Sequence, residues 1–159
     1  MEQITVTIRS LEETQRWGYA LGQALTMPAC LLLEGPMGVG KTHLAKAIAE
    51  GLGITEKVTS PTFALMNTYE SGKLRMHHFD LYRLEDAEEL AAIGFLDYAQ
   101  DGVSIVEWAD SFPEEMPESY IRLRFSLGEG EERTVMVEGV DVEEELWSKI
   151  EEACHAISH

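Results

Sequence analysis

Eight consecutive residues, GPMGVGKT from Gly35 to Thr42, match the pattern G-x-x-x-x-G-K-[ST] in full. Each position has a chemical use. The glycines let the backbone turn its N–H groups inward around an anion, Lys41 is long enough to reach terminal phosphates, and Thr42 offers a hydroxyl to magnesium. A chance match would be a glycine-rich turn carrying an incidental Lys-Thr pair, so context decides. Here an apolar run, CLLLE, leads in and an amphipathic stretch leads out. A strand therefore feeds the loop, and a helix begins on it with its positive dipole end. These residues predict a nucleotide-phosphate site. The Asn-Lys-x-Asp tetrapeptide of guanine-selective proteins is absent from the chain, which points to ATP.

Magnesium takes hard oxygen ligands, and two acids stand at strand ends downstream. Glu107 closes VSIVE, the pattern of a buried parallel strand delivering a carboxylate to the edge where ligands collect in open α/β sheets. Asp80 closes MHHFD, which is less apolar and belongs to an expected hairpin. By pattern Glu107 is the better direct metal partner. Asp80 is left with binding through water, positioning the attacking water, or orienting Thr42. SPTF places the hydroxyls of Ser60 and Thr62 around Pro61, either as a plain turn or as a loop that meets a γ-phosphate. His77 and His78 have no cysteine or third histidine at ligand spacing. As strand neighbours they point to opposite faces, and packing and surface roles are expected.

The surrounding elements are those that such a site needs. Ile4, Val6 and Ile8 alternate as a half-buried strand, and Ser10 with Glu13 forms a capping box for a helix burying Trp17, Leu21, Ala24 and Leu25. The helix after the loop aligns Leu44, Ile48 and Leu52 and stops at Gly53. FALMNTYE and KLRMHHFDLY flank Ser71-Gly72 as a hairpin, and Asp86 with Glu89 caps a short helix. IRLRFSL and TVMVEG form a second hairpin, and Asp141 with Glu144 caps the last helix. The fold expected over residues 1–159 is a single α/β domain: a P-loop NTPase-like mixed sheet with a parallel core, added antiparallel hairpins and flanking helices.

Twelve basic against 29 acidic residues give a net charge of −17. Such a chain is repelled by phosphate backbones, so it is a poor stand-alone nucleic-acid binder. No apolar run suits a membrane span, and MEQITVTIRS lacks the basic start and apolar stretch of a secretory signal. With only two cysteines, Cys30 and Cys154, a reduced cytoplasmic protein is expected.

The ordered set GPMGVGKT, SPTF, HHFDLYRL, GFLDY and VEW resembles the TsaE (YjeE) family over about residues 10 to 110. The resemblance implies an ATPase that uses ATP and Mg²⁺ and turns over slowly alone. It also implies work with a TsaB–TsaD heterodimer, in which TsaD places a threonylcarbamoyl group on the adenosine beside the tRNA anticodon. Contact with tRNA would come only through that complex. The implied nucleotide contacts are Gly35, Met37, Gly38, Val39, Gly40, Lys41, Thr42 and His43, with Thr62 in a switch-like loop and Trp108 beside the nucleotide. Asp80 is the Walker-B-like acid and Glu107 the metal-proximal one; with Lys41 they form the implied catalytic set, and with Thr42 the metal set. His43 stands where many members have a second hydroxyl residue. Arg83 is the nearest candidate for an arginine finger, and a surface salt bridge explains it equally well.

Two rivals come from other classes. A small-molecule kinase ordinarily carries a lid with several arginines, and residues 85–119 hold no Lys or Arg. A nucleotide-dependent binding module would keep its function with Glu107 removed.

Overall fold

The computed structural model describes residues 2–59 and 65–157. The SPTF segment, and Thr62 with it, lies outside the described residues. The elements run β1 (Glu2–Ile8), α1 (Leu11–Ala24), β2 (Ala29–Glu34), α2 (Lys41–Gly51), β3 (Met66–Tyr69), β4 (Met76–Asp80), α3 (Ala87–Ala92), α4 (Phe95–Ala99), β5 (Val103–Glu107), β6 (Tyr120–Leu127), β7 (Arg133–Val140) and α5 (Glu144–His155). Two short 3-10 turns, Ala109–Ser111 and Pro113–Glu115, link β5 to β6.

The strands form one sheet in the order β1-β7-β6-β2-β5-β4-β3. Strands β4, β5, β2 and β6 are parallel neighbours, while β3 joins β4, β7 joins β6 and β1 joins β7 antiparallel. This is the mixed sheet with a parallel core that the residue pattern predicts. Parallel strands are apolar throughout because both faces are covered. In β2, Leu31 and Leu33 join the core that holds Trp17, Leu44, Ile48 and Trp147, while Cys30 and Leu32 join the opposite core with Phe79, Leu90 and Phe95. Each fully buried Leu or Ile contributes about 1.5–3 kcal/mol by leaving water.

Helix α1 starts as expected: Ser10 Oγ accepts from Glu13 N at 3.1 Å. The return bond of the box lands one residue early, with Glu13 Oε1 accepting from Arg9 N at 2.8 Å. Helices α1 and α2 touch backbone to backbone. A Cβ on Gly22 would sit 2.2 Å from Ile48 O, and one on Gly51 would sit 2.2 Å from Tyr19 O. Only hydrogen fits at either place, so these glycines set how closely α2 lies against α1.

Five details depart from the expectation. The β3–β4 pair is antiparallel, but residues 70–75 connect it, a longer loop than a two-residue Ser71-Gly72 turn. Asp86 caps α3 by accepting from Glu88 N, one residue before the expected partner Glu89. Asp141 does not cap α5; it sits at φ 54°, and the N-cap position falls to Glu143, which makes no side-chain capping bond. His77 and His78 do take opposite faces, but neither reaches the surface: they are 1% and 0% exposed. An additional short helix, α4, follows Gly94, whose φ of 77° turns the chain into it. Among the described residues, no helix is long and apolar enough to cross a membrane.

Candidate functional site

Strand β2 is fourth of seven, and the phosphate loop leaves its C-terminal end to open α2. Glu34, the last residue of β2, is buried and held by Arg122 of β6 at 2.9 Å, which anchors the strand where the loop begins. Gly40 is the N-cap of α2 with φ 109°, a left-handed conformation that a side chain would strain although space there is open. That geometry exposes the first N–H groups of α2, which have no partner within the helix.

Strands β4 and β5 bring the two acids together. Asp80 and Glu107 are register partners at the ends of adjacent parallel strands. The hairpin membership of β4 therefore does not set Asp80 apart, because the same strand also belongs to the parallel core. Thr42 Oγ1 donates toward Glu107 Oε2 at 3.4 Å, and Asp80 Oδ1 accepts from Tyr82 N at 3.1 Å. A cavity of about 320 Å³ is lined by Met37, Gly38, Gly40, Lys41, Thr42, His43, Asp80, Tyr82, Glu107 and Trp108. Most of the expected side chains thus meet in one place. Gly35 and Val39 belong to the loop but do not line this cavity, and Val39 is buried.

Lys41 is folded back. Its Nζ donates to Gly35 O at 2.7 Å and lies 3.9 Å from the centre of the Trp108 ring, a cation–π contact. Burial pushes the pKa of this ammonium below the ordinary lysine value of 10.5, against the upward pull of Glu107, Asp110, Asp80 and Glu34. Trp108 adopts a left-handed backbone, φ 64°, immediately after β5, and its ring meets Tyr82 at 5.0 Å and 49°. The indole therefore packs against chemistry-bearing groups.

Two residues escaped the sequence reading. Tyr82 lines the cavity and packs its ring, tilted, against Trp108; its signal was a place two residues beyond a strand-end acid. His78 Nε2 lies 2.6 Å from Glu107 Oε2, a direct contact with the expected metal acid. Here the signal was period two, since residues 78 and 80 of a strand share a face.

The donor set suits magnesium: a hydroxyl and two neighbouring carboxylates, all hard oxygens, with room for phosphate. Among the described residues, no group of three or more His, Cys, Asp or Glu is arranged to hold a metal ion. Magnesium at phosphate sites is ordinarily bound by one or two carboxylates together with the phosphates. A larger cavity, about 560 Å³, lies elsewhere, beside Ala29, Cys30, Tyr120 and Leu146, where β2 and β6 begin. The smaller one is the candidate site because it sits at the strand C-termini with the loop.

An open α/β sheet whose central strand runs through a phosphate loop into a helix defines the P-loop class. Within that class the chain belongs to the TsaE family: the model for "Threonylcarbamoyl adenosine biosynthesis protein TsaE" matches residues 8–135. A protein of Nostoc sp. named tRNA threonylcarbamoyladenosine biosynthesis protein TsaE is 37% identical over 136 residues, covering 81% of this chain and 82% of that one. Its namesake in Bacillus subtilis is 40% identical over 105 residues, covering 66% of each chain. The crystal structure of YdiB from the same organism matches with a TM-score of 0.73 at 30% identity, covering 99% of this chain and 95% of that one.

Proposed function

We propose that this chain is a cytoplasmic ATPase that serves tRNA threonylcarbamoyladenosine modification, acting on a TsaB–TsaD complex to sustain repeated cycles. The observation that carries the reading is the meeting of Lys41, Thr42, Asp80 and Glu107 at the C-terminal edge of the parallel core. In this reading the phosphates of ATP rest on the backbone of residues 35–42. Lys41 exchanges a carbonyl and an indole for an anionic partner, which forms a stronger, charge-assisted bond. Thr42, Glu107 and Asp80 would hold Mg²⁺, and the ion when bound would neutralise charge on the phosphate oxygens. Asp80 or Glu107 orients the attacking water, and positioning supplies most of the catalysis.

A chain with net charge −17 supports tRNA contact through the other subunits. The test is to mix the protein with TsaB, TsaD and tRNA and follow ATP hydrolysis and modification over several turnovers. Both should depend on this chain, and Lys41→Ala should abolish nucleotide binding. No stimulation, together with modification that proceeds without the chain, would overturn the assignment. Modification that survives Glu107→Ala with ATP still bound would make the chain a binding module.

A further inference from the structure

His78 is fully buried on β4, two residues before Asp80. Its Nε2 stands 2.6 Å from Oε2 of Glu107, and the same oxygen lies 3.4 Å from Thr42 Oγ1. The other ring nitrogen, Nδ1, is buried and has no hydrogen-bond partner among the described residues. This asymmetry selects a tautomer. A proton on Nδ1 would leave a buried N–H unsatisfied, at a cost of about 1–3 kcal/mol, and would set the Nε2 lone pair against a carboxylate oxygen. A proton on Nε2 leaves only an acceptor unmet and turns the short contact into a charge-assisted hydrogen bond.

Glutamate has three side-chain torsions, and a buried carboxylate on a strand end can hold one setting only if something fixes it. The histidine is suited to do so because its ring is clamped inside the sheet. We propose that His78 is the positioning residue of Glu107: its Nε2–H holds Oε2 so that the carboxylate stays beside Thr42 and the phosphate loop. The proposal rests on the ATPase reading for the role of Glu107. Its physical logic is that of a ligand oriented from behind, where loss of the orienting group typically costs about 10–100-fold in metal affinity or activity.

The test uses His78→Leu, which removes the donor, His78→Gln, whose amide nitrogen can take the place of Nε2, and His78→Asn, whose amide reaches only the place of Nδ1. Mn²⁺ binding to the full chain with a non-hydrolysable ATP analogue is read by electron paramagnetic resonance, alongside metal-free ATP binding, kcat, KM and thermal melting. Leu and Asn should weaken Mn²⁺ about tenfold and lower kcat, with KM for ATP and metal-free binding near wild type. Gln should restore most of both. Equal losses in Gln and Asn would overturn the proposal and make the ring core filling; should Leu fail to fold, that pair still decides. Unchanged Mn²⁺ affinity in all three variants overturns it as well. If wild type binds neither analogue nor Mn²⁺, the ATPase reading fails instead. Long-range proton–nitrogen NMR of the free protein then still reports on the contact itself: the Nε2–H tautomer supports it, and Nδ1–H overturns it.

Discussion

His77 and His78 are neighbours on β4, yet the two faces of the sheet give them opposite work. On one face His77 is satisfied at both nitrogens, by Thr68 Oγ1 and by Asp101 Oδ2, each at 2.9 Å, with the edge of Tyr98 against its ring. Asp101 is half exposed and also holds Arg75 at 2.9 Å. On the other face His78 meets a carboxylate that is 4% exposed and shared with Thr42 of α2, and its Nδ1 is unmet among the described residues. A fully paired histidine tied to a surface acid links β4 to β3 and to the segment before β5. In the proposed reading, one tied to a buried acid at the strand C-termini holds the candidate metal acid in place. Residue type and strand are the same, and the partner decides the role.

The sharpest way to break the comparison is to remove the acid on each face. In the proposed ATPase, Glu107→Ala should lower ATP hydrolysis per molecule by roughly 100-fold, as loss of a group that orients the nucleophile or its metal does. Metal-free ATP binding should persist, which equilibrium dialysis would check. A comparable loss of turnover from any change on the His77 face would erase the distinction between the faces. Next in size is the scaffold under the chemical face. Gly22→Val should cost about 3 kcal/mol, the upper part of the overpacking range, because its side chain would strike Ile48 O on α2. Urea unfolding measures that cost, and ATP affinity should fall with it because α2 carries Lys41 and Thr42.

Much of the chemical face is legible one residue at a time. The phosphate loop announces itself through local pattern, and Glu107 through an apolar run that ends in an acid. Caps such as Ser10 are visible because their bonds span three residues. What stays hidden depends on pairs far apart in the chain. The register that sets Asp80 against Glu107 spans 27 residues, and the His78 contact spans 29. Gly22 and Gly51 look like ordinary helix glycines until the two helices are stacked. The missed cap at Asp141 has another cause: a backbone at φ 54° cannot place its side chain as an N-cap does, and a capping motif says nothing about φ.

The smaller effects belong to the His77 face. His77→Leu should lower stability by about 1 kcal/mol, because it removes the bonds to Thr68 Oγ1 and Asp101 Oδ2, whose partners then turn to water, while filling the core. Hydrolysis per folded molecule should remain within about twofold of wild type, since surface-directed bonds do not reach the reacting atoms. The least effect is expected from Asp101→Asn, and its signature is a pH dependence. The hydrogen bond from His77, and then Arg75, holds the Asp101 carboxyl below its ordinary value of 3.8. A depressed carboxylate adds stability that is fully present above the unfolded value and is lost as pH falls through the folded one. Thermal melting of wild type and variant should therefore differ most above about pH 5 and converge below 3.8. The gap should be small throughout, because Asp101 is exposed to screening water. A gap that widened on acidification would mean that the carboxylate is not what ties His77 to the sheet, and the two faces would then differ in something other than their acids.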